Sequence, residues 1–508
     1  MGLRMAGLAA YVFLGGFIWL ACRSIYRLYF HPLSGFPGPK LAAITSGYEC
    51  YFNVVKKGCF IWELQRLHEV YGPIVRVTPR EIHIKDSEYY DEIYAGSTRK
   101  REKDAIAVRQ FDLDGSAFSA ITSEVHRERR AAMSPFFSKS AISQVEADIK
   151  NRLDQLHSHL EKAQKSNRVV LLDAGFSALT SDVINKYAFG FHSGNLEHDD
   201  FNETLRDGFV ALFKSAHHAY FFPIIPAIIG SLPFNWLKAL NPFAHALAMQ
   251  KDGIRQRVKK FLTGHSSGNG CIMKKLCSPS MPAHMLDVER LTDEGFAMAI
   301  AGTETTARSL SIGAFHLYTD DRVRAKLREE LKSVMPTADS CPPWKQLEQL
   351  PYLSGVVYES MRLSTGIASR SPRIAPTEAL VYKDTQRDKE YIIPPGTLVS
   401  ETNFFVLNDP LIFPNPEVFE PERWLRASAK GERLDRYLVN FSRGSRICLG
   451  MNLAYAELYM ALATLVRRFD LECQEDAAKH VMFVRDFGTP YPDEGNLSLP
   501  VKVTASYE

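Results

Sequence analysis

Ten residues, Phe441-Ser-Arg-Gly-Ser-Arg-Ile-Cys-Leu-Gly450, constrain this chain more than any other stretch. They place one cysteine, Cys448, in a loop rich in Gly and Arg, directly before the helix-forming run Asn452-Leu-Ala-Tyr-Ala-Glu-Leu-Tyr. A helix N-terminus presents unpaired N–H groups and the positive end of the helix dipole. Both favour thiolate, the form of cysteine that ligates iron. Gly444 and Gly450 lack a Cβ, so the backbone can turn sharply and a flat macrocycle can lie against it. Arg446, two positions before the cysteine, offers a fixed positive charge to a carboxylate of such a group.

An isolated cysteine beside a turn is ordinarily a buried structural residue. The spacing argues otherwise. With 31 Phe, 31 Gly and 8 Cys in 508 residues, Phe-x2-Gly-x-Arg-x-Cys-x-Gly arises by chance in on the order of one chain in 10⁴. The stretch resembles the haem-ligand loop of the cytochrome P-450 family. That resemblance implies a mainly α fold with small β-sheets, haem b (iron protoporphyrin IX) as cofactor, and Cys448 as axial ligand of the iron. Phe441, Gly444, Arg446 and Gly450 then belong to the cofactor-binding loop.

Composition agrees with a large globular core: 45% of residues are hydrophobic, 23% are charged and the net charge is +3, too small to suggest nucleic acid. Eight scattered cysteines fit a reducing compartment, not a disulfide framework. Residues 5–22 are uncharged and apolar, and as a helix they would measure about 27 Å, close to a bilayer core. Arg4 precedes them, while Arg23, Arg27 and Lys40 follow, which expects a retained single-pass anchor with the bulk of the chain cytosolic. A cleaved signal peptide fits the length and the flanking charges less well. The sequons at Asn202 and Asn496 would then face the cytosol and stay unglycosylated. Residues 23–44 read as a stiff, extended, proline-rich linker around His31-Pro-Leu-Ser-Gly-Phe-Pro-Gly-Pro39. Residues 45–508 read as one catalytic domain.

Within that domain, 73–86 alternates apolar and polar about Thr78-Pro79-Arg80 and predicts a β-hairpin. A second strand pair is expected over 380–402, broken at Pro394-Pro-Gly. Helical periodicity covers 140–163, 287–318, 321–334 and 353–363. The polar run 264–280 reads as a long surface connection.

Thr292-Asp-Glu reads as a helix start, with Thr292 as N-cap. The helix then meets Ala301-Gly-Thr-Glu-Thr-Thr306, where Gly302 and three threonines are poor helix formers. By resemblance to the family, the helix loosens there, leaves a groove for O₂, and uses Glu304 and Thr305 as catalytic residues that relay protons. Glu359-Ser-Met-Arg362 and Pro421-Glu-Arg-Trp424 resemble the family's buried Glu–Arg–Arg network, which makes Glu359, Arg362 and Arg423 structural. Trp424 stands where Phe is more usual. His126, Arg130 and Arg373 resemble the residues that hold the haem propionates, with Arg370 competing for the place of Arg373. Phe111, Phe296, Ile300, Ile367 and Phe487 fall where the family fold lines the substrate pocket. All are apolar, with Arg109 as the nearest cation.

The proline-rich approach and Arg373-Ile-Ala-Pro-Thr-Glu-Ala379 are similar to fungal membrane-bound members of secondary metabolism, trichodiene-oxygenase-like enzymes among them. The function implied is an O₂-dependent monooxygenase that hydroxylates or epoxidises a hydrophobic terpenoid, or a polyketide-derived scaffold, at the endoplasmic reticulum membrane. No flavin or nicotinamide Gly-rich fingerprint is visible, so the electrons would come from NADPH-cytochrome P-450 reductase, with cytochrome b5 as a further donor. A haem-thiolate isomerase or dehydratase, and a non-catalytic haem sensor, are the alternatives. The intact Glu304–Thr305 pair argues against both.

Overall fold

The computed structural model describes residues 2–265 and 270–507, and the side chains of all of these except 2–4, 6–10 and 205. The chain divides into two compact units, 1–104 with 370–402, and 105–369 with 403–508.

The first unit begins with helix α1, Gly2–Ile25. Tyr11, Phe13, Phe17 and Trp19 on it are exposed. Among the described residues no helix is long and apolar enough to cross a membrane. The anchor expected over 5–22 falls in part on residues 6–10, whose side chains lie outside the description. The proline-rich linker packs against its own unit. Leu33 is buried, Phe36 stacks on Tyr391 at 5.7 Å, and the Arg76 guanidinium donates to Arg27 O at 2.8 Å and Leu33 O at 3.3 Å. A buried arginine needs acceptors, and folding the linker back supplies them.

The expected hairpin forms from β1, Ile74–Thr78, and β2, Glu81–Ile84, paired antiparallel. All nine residues are buried, polar ones included, so both faces are covered and the alternation does not mark a solvent side. Two strands from the later segment complete this sheet in the order β1-β2-β7-β4, with β4 Arg373–Ile374 and β7 Leu398–Ser400. The second pair is β5, Leu380–Asp384, with β6, Lys389–Ile393. Its turn lies at 385–388, where the Asp384 carboxylate accepts from the N–H groups of Gln386 and Arg387. Pro394-Pro-Gly instead leads the chain out of the pair toward β7.

The second unit is built on helices. Those that matter here are α2 Ser123–Met133, α3 Glu146–Lys165, α4 Leu172–Phe189, α5 Glu203–Phe221, α6 Ile224–Ser231, α7 Phe234–Leu240, α8 Pro242–Leu262, α9 Val288–Thr319, α10 Asp321–Lys332, α11 Pro351–Ser364, α12 Glu422–Ala429 and α13 Met451–Arg468. A three-stranded sheet, β3-β11-β8, joins Val169–Leu171, Pro500–Ser506 and Phe469–Cys473. The short pair β9 Arg485–Asp486 and β10 Pro490–Tyr491 frames a C-terminal turn. The polar run 264–280 is not all loop, since Ile272–Leu276 is helical and buries Ile272, Met273 and Leu276. Residues 266–269 of that run lie outside the description.

Helix α9 is the axis of this unit and packs on α4, α11 and α13. Its start differs from expectation. Asp287, not Thr292, is the N-cap, with its carboxylate accepting from Arg290 N at 2.8 Å. Thr292 lies inside the helix and donates to Val288 O, because a carboxylate five residues earlier already supplies the cap. The helix also does not loosen at 301–306, where it stays α-helical. A Cβ at Gly302 would come within 2.7 Å of Ile184 on α4. That glycine admits a neighbouring helix, not an open groove.

Candidate active site

The cysteine loop closes on itself. Cys448 N donates to Phe441 O at 2.9 Å and Ile447 N to Gly444 O at 3.2 Å. Gly444 has φ 69°, a left-handed position that suits glycine. Gly450 does not turn the chain, since its φ is −81°. A Cβ there would meet only Cys448 Sγ, at 3.9 Å, so its smallness keeps clear the space beside the sulfur. Helix α13 begins at Met451, and the N–H groups of Gly450 and Met451 point at the thiol.

Those N–H groups and the nearby Arg130 charge pull the thiol toward ionisation, yet burial outweighs them and pushes it above its ordinary value. The thiolate preference expected from the helix terminus is therefore not met by the protein alone, because desolvation of the charge is the larger effect. Cys448 is nevertheless exposed and free. A soft donor in no disulfide, beside a glycine that leaves room for a flat ring, fits ligation of haem iron.

Two arginines fasten this loop to the start of α2. Arg446 donates to the carbonyls of Ala120 at 2.6 Å, Ile121 at 2.7 Å and Thr122 at 3.2 Å. Arg130 donates to Ile447 O at 2.6 Å. His126, one turn before Arg130, is buried. In the first unit, Arg370 is neutralised by Glu49 and Glu81, each at 2.7 Å. Arg373, buried on β4, donates among the described residues only to the adjacent carbonyls of Ser371 and Pro372 and lies over the Tyr94 ring. A buried guanidinium without a carboxylate also suits an anionic ligand.

On α9, Ala301 is exposed between buried Ile300 and half-buried Gly302, and Thr305 is half-buried with Oγ1 donating to Ala301 O at 2.8 Å. Glu304 turns the other way. Its carboxylate accepts from Ser177 Oγ on α4 at 2.9 Å, and burial pushes its pKa up to about 7. It borders a small polar cavity shared with Asp173, Arg206, Arg308, Thr489 and Tyr491. The two residues thus make no hydrogen bond to each other, and Ser177 and Asp173 on α4 carried no signal in the sequence.

The structural triad meets in the interior. Arg362 Nε donates to Glu359 Oε2 at 2.6 Å, and Arg423 pairs with Glu359 Oε1. All three are at most 4% exposed. The surplus positive charge is met by carbonyls: Leu407, Pro416 and Val418 for Arg362, and Pro414, Asn415 and Val418 for Arg423. Trp424 packs against Tyr358 and Phe413.

Of the substrate-pocket residues, Phe111 sits edge-on to Phe118 at 5.8 Å and to Phe213 at 6.1 Å. Phe487 packs against Tyr491 at 5.8 Å and His217 at 6.0 Å. Phe296 and Ile300 are buried on α9 and Ile367 is half-buried. Arg109 is exposed, so it does not set a cation among these side chains. Sequence reasoning missed Phe213 and His217 on α5, since they lie in an ordinary amphipathic helix with no motif. A Cβ at Gly488 would come within 3.5 Å of Phe213, which links α5 to the C-terminal turn.

Comparison with known proteins agrees with this geometry. The family profile described as Cytochrome P450 matches residues 45–493. The chain is 39% identical to cytochrome P450 monooxygenase astB of Aspergillus terreus over 495 residues, 96% of this chain and 95% of that protein. It is 42% identical to conidiogenone synthase PchP450 of Penicillium rubens, over 96% of this chain and 98% of the relative. It is 41% identical to cytochrome P450 monooxygenase TRI4 of Trichoderma arundinaceum, over 90% and 88% of the two chains. Such enzymes carry a haem-thiolate cofactor and take O₂, electrons from a redox partner and a small-molecule substrate. The chain belongs to the cytochrome P450 family and is a monooxygenase.

Proposed function

We propose that this monooxygenase hydroxylates or epoxidises a neutral, hydrophobic, multi-carbon secondary metabolite, a terpenoid first and a polyketide-derived scaffold second. The observation that carries the substrate class is the aromatic wall of Phe111, Phe118 and Phe213, with Phe487 beside Tyr491. Such a wall binds by burying hydrocarbon, at about 25 cal/mol per Å². The terpenoid choice is supported by the trichodiene-oxygenase-like resemblance and by the similarity to the TRI4 monooxygenases and a conidiogenone synthase.

The cofactor is haem b, with Cys448 on the iron and its propionates on Arg446, Arg130 and His126. Of the two arginines in the first unit, Arg373 is the one left for an anion, since Glu49 and Glu81 already neutralise Arg370. When bound, haem supplies O₂ activation and oxygen transfer. The chain's own part is to position and to move protons. At neutral pH the Glu304 carboxyl, with its pKa pushed up to about 7, both holds and releases a proton beside Ser177 Oγ. Thr305 Oγ1 gives its hydrogen to Ala301 O and keeps lone pairs to accept another. Electrons come from NADPH-cytochrome P450 reductase, with cytochrome b5 as a second donor.

We place the enzyme at the endoplasmic reticulum membrane, tethered by α1 with the body cytosolic. A second apolar surface supports this: Ile224 and Ile228 on α6 and Trp236 and Leu240 on α7 are all more than half exposed. Removing residues 1–22 should weaken membrane association and leave the haem spectrum unchanged. Loss of haem would contradict a pure tether. For the substrate, purified protein is titrated with terpenes, polyketides and fatty acids while displacement of iron-bound water is followed. Tight binding confined to charged or fatty-acid ligands would overturn this reading of the pocket.

A further inference from the structure

Helix α5 carries Arg206, Val210, Phe213 and His217 on one face. Arg206 and Val210 border the polar cavity beside Glu304, and Phe213 touches Phe111. His217 comes last on this stripe, only 8% exposed, with its ring 6.0 Å from that of Phe487. It is a polar member of an aromatic group, and its hydrogen bonding determines what it can offer.

His217 Nε2 lies 2.6 Å from Asp486 O. A carbonyl only accepts, so Nε2 carries the hydrogen, and in the neutral ring Nδ1 is left as a pure acceptor. Nδ1 has no hydrogen-bond partner among the described residues. The ring cannot readily swing to find one, because the turn that holds it is fixed. Asp486 Oδ1 accepts from Ser369 Oγ at 2.6 Å and Gly488 N at 2.9 Å, and Gly488 O accepts from Ala368 N at 2.8 Å. An acceptor without a partner in these aromatic surroundings gains a hydrogen bond from a donor on a ligand.

We propose that His217 Nδ1 is a specificity determinant that accepts a hydrogen bond from a hydroxyl on the substrate. The enzyme then acts on a hydrophobic skeleton that already bears an alcohol. Such a substrate is supplied by a step that installs a carbon-bound hydroxyl, either an earlier oxygenation or a cyclisation ended by water. A plain hydrocarbon leaves Nδ1 unmatched, and a carboxylate sets acceptor against acceptor. This inference rests on the apolar pocket proposed above.

The test uses the haem-loaded full chain and calorimetric titration with two matched sesquiterpene pairs, cedrol with cedrene and farnesol with farnesene. Wild type should bind at least one alcohol about tenfold more tightly than its hydrocarbon. His217→Phe should abolish that preference while leaving hydrocarbon affinity within about twofold, and His217→Gln, whose amide oxygen also accepts, should restore most of it. The carbon monoxide spectrum of each variant checks that the haem site is intact. Equal binding of alcohol and hydrocarbon in both pairs by wild type, or an undiminished preference in His217→Phe, would overturn the proposal and leave the apolar pocket standing. If none of the four ligands binds, the apolar pocket falls and this inference falls with it.

Discussion

Replacing Glu304 by Gln should make the protein less effective and, above neutral pH, more stable. Burial raises the Glu304 pKa from 4.5 to about 7. The folded state therefore holds its proton more tightly than the unfolded chain does. The sign follows from linkage: the fold is free of this burden below the unfolded pKa of 4.5 and loses stability as pH rises toward 7. At about 1.4 kcal/mol per pKa unit the full loss is about 3 kcal/mol. Part of the side chain faces the small polar cavity, so screening makes that figure an upper bound. Glutamine keeps an oxygen for the Ser177 hydroxyl and carries no charge. Urea unfolding of the haem-loaded protein at pH 5 and pH 8 reads the effect: Glu304→Gln should gain about 1–3 kcal/mol on wild type between the two. Under turnover the same variant should divert reducing equivalents into hydrogen peroxide, as should Thr305→Ala with its haem content unchanged. A stability difference independent of pH would refute the argument about the buried carboxyl, and unchanged coupling of NADPH use to product would refute its role in proton delivery.

Cys448→Ala should abolish the thiolate spectrum of the reduced carbon monoxide complex, and an unchanged spectrum would remove Cys448 from the iron. Arg423→Leu breaks a buried ion pair and should cost about 3–5 kcal/mol, read as a lowered unfolding midpoint and reduced haem content. The first unit contains a sealed chain in which His68 Nδ1 faces Gly72 O, His68 Nε2 faces His83 Nδ1, and His83 Nε2 faces Thr402 Oγ1. Burial lowers the His68 pKa from 6.5 to about 4, so His68 stabilises the fold fully above the unfolded value. That contribution, about 3 kcal/mol, is lost as pH falls through this window. Circular dichroism of wild type and His68→Gln from pH 7 to pH 4 checks it, and parallel acid sensitivity of the two would refute it.

Local signals were legible in the sequence where one short stretch carries its own constraint. The cysteine loop, the β1–β2 hairpin and the pairing of Glu359 with Arg362 depend on residues a few positions apart or on a dense motif. Helix starts were read less well. The periodicity over 287–318 matches the helix that Asp287 caps, while Thr292 resembles a cap only within its own short stretch. The break between Lys139–Ser143 and α3, inside a stretch read as one helix, has no Pro or Gly to announce it. Glycine was ambiguous for a physical reason: Gly302 is small by necessity against Ile184, whereas Gly450 has only Sγ near it, at 3.9 Å. A sequence does not say what stands opposite. Phe213, His217 and Ser177 were illegible because their roles come from neighbours more than 100 residues away.

Arg446 grips the carbonyls of residues 120–122, while Arg130 reaches back to Ile447. Phe118, two residues ahead of that grip, stands against Phe111 in the aromatic wall. Wall and sulfur loop thus hang from one short rod of backbone. Displacing Phe118 therefore bears on the same stretch of backbone that holds the cysteine loop in shape.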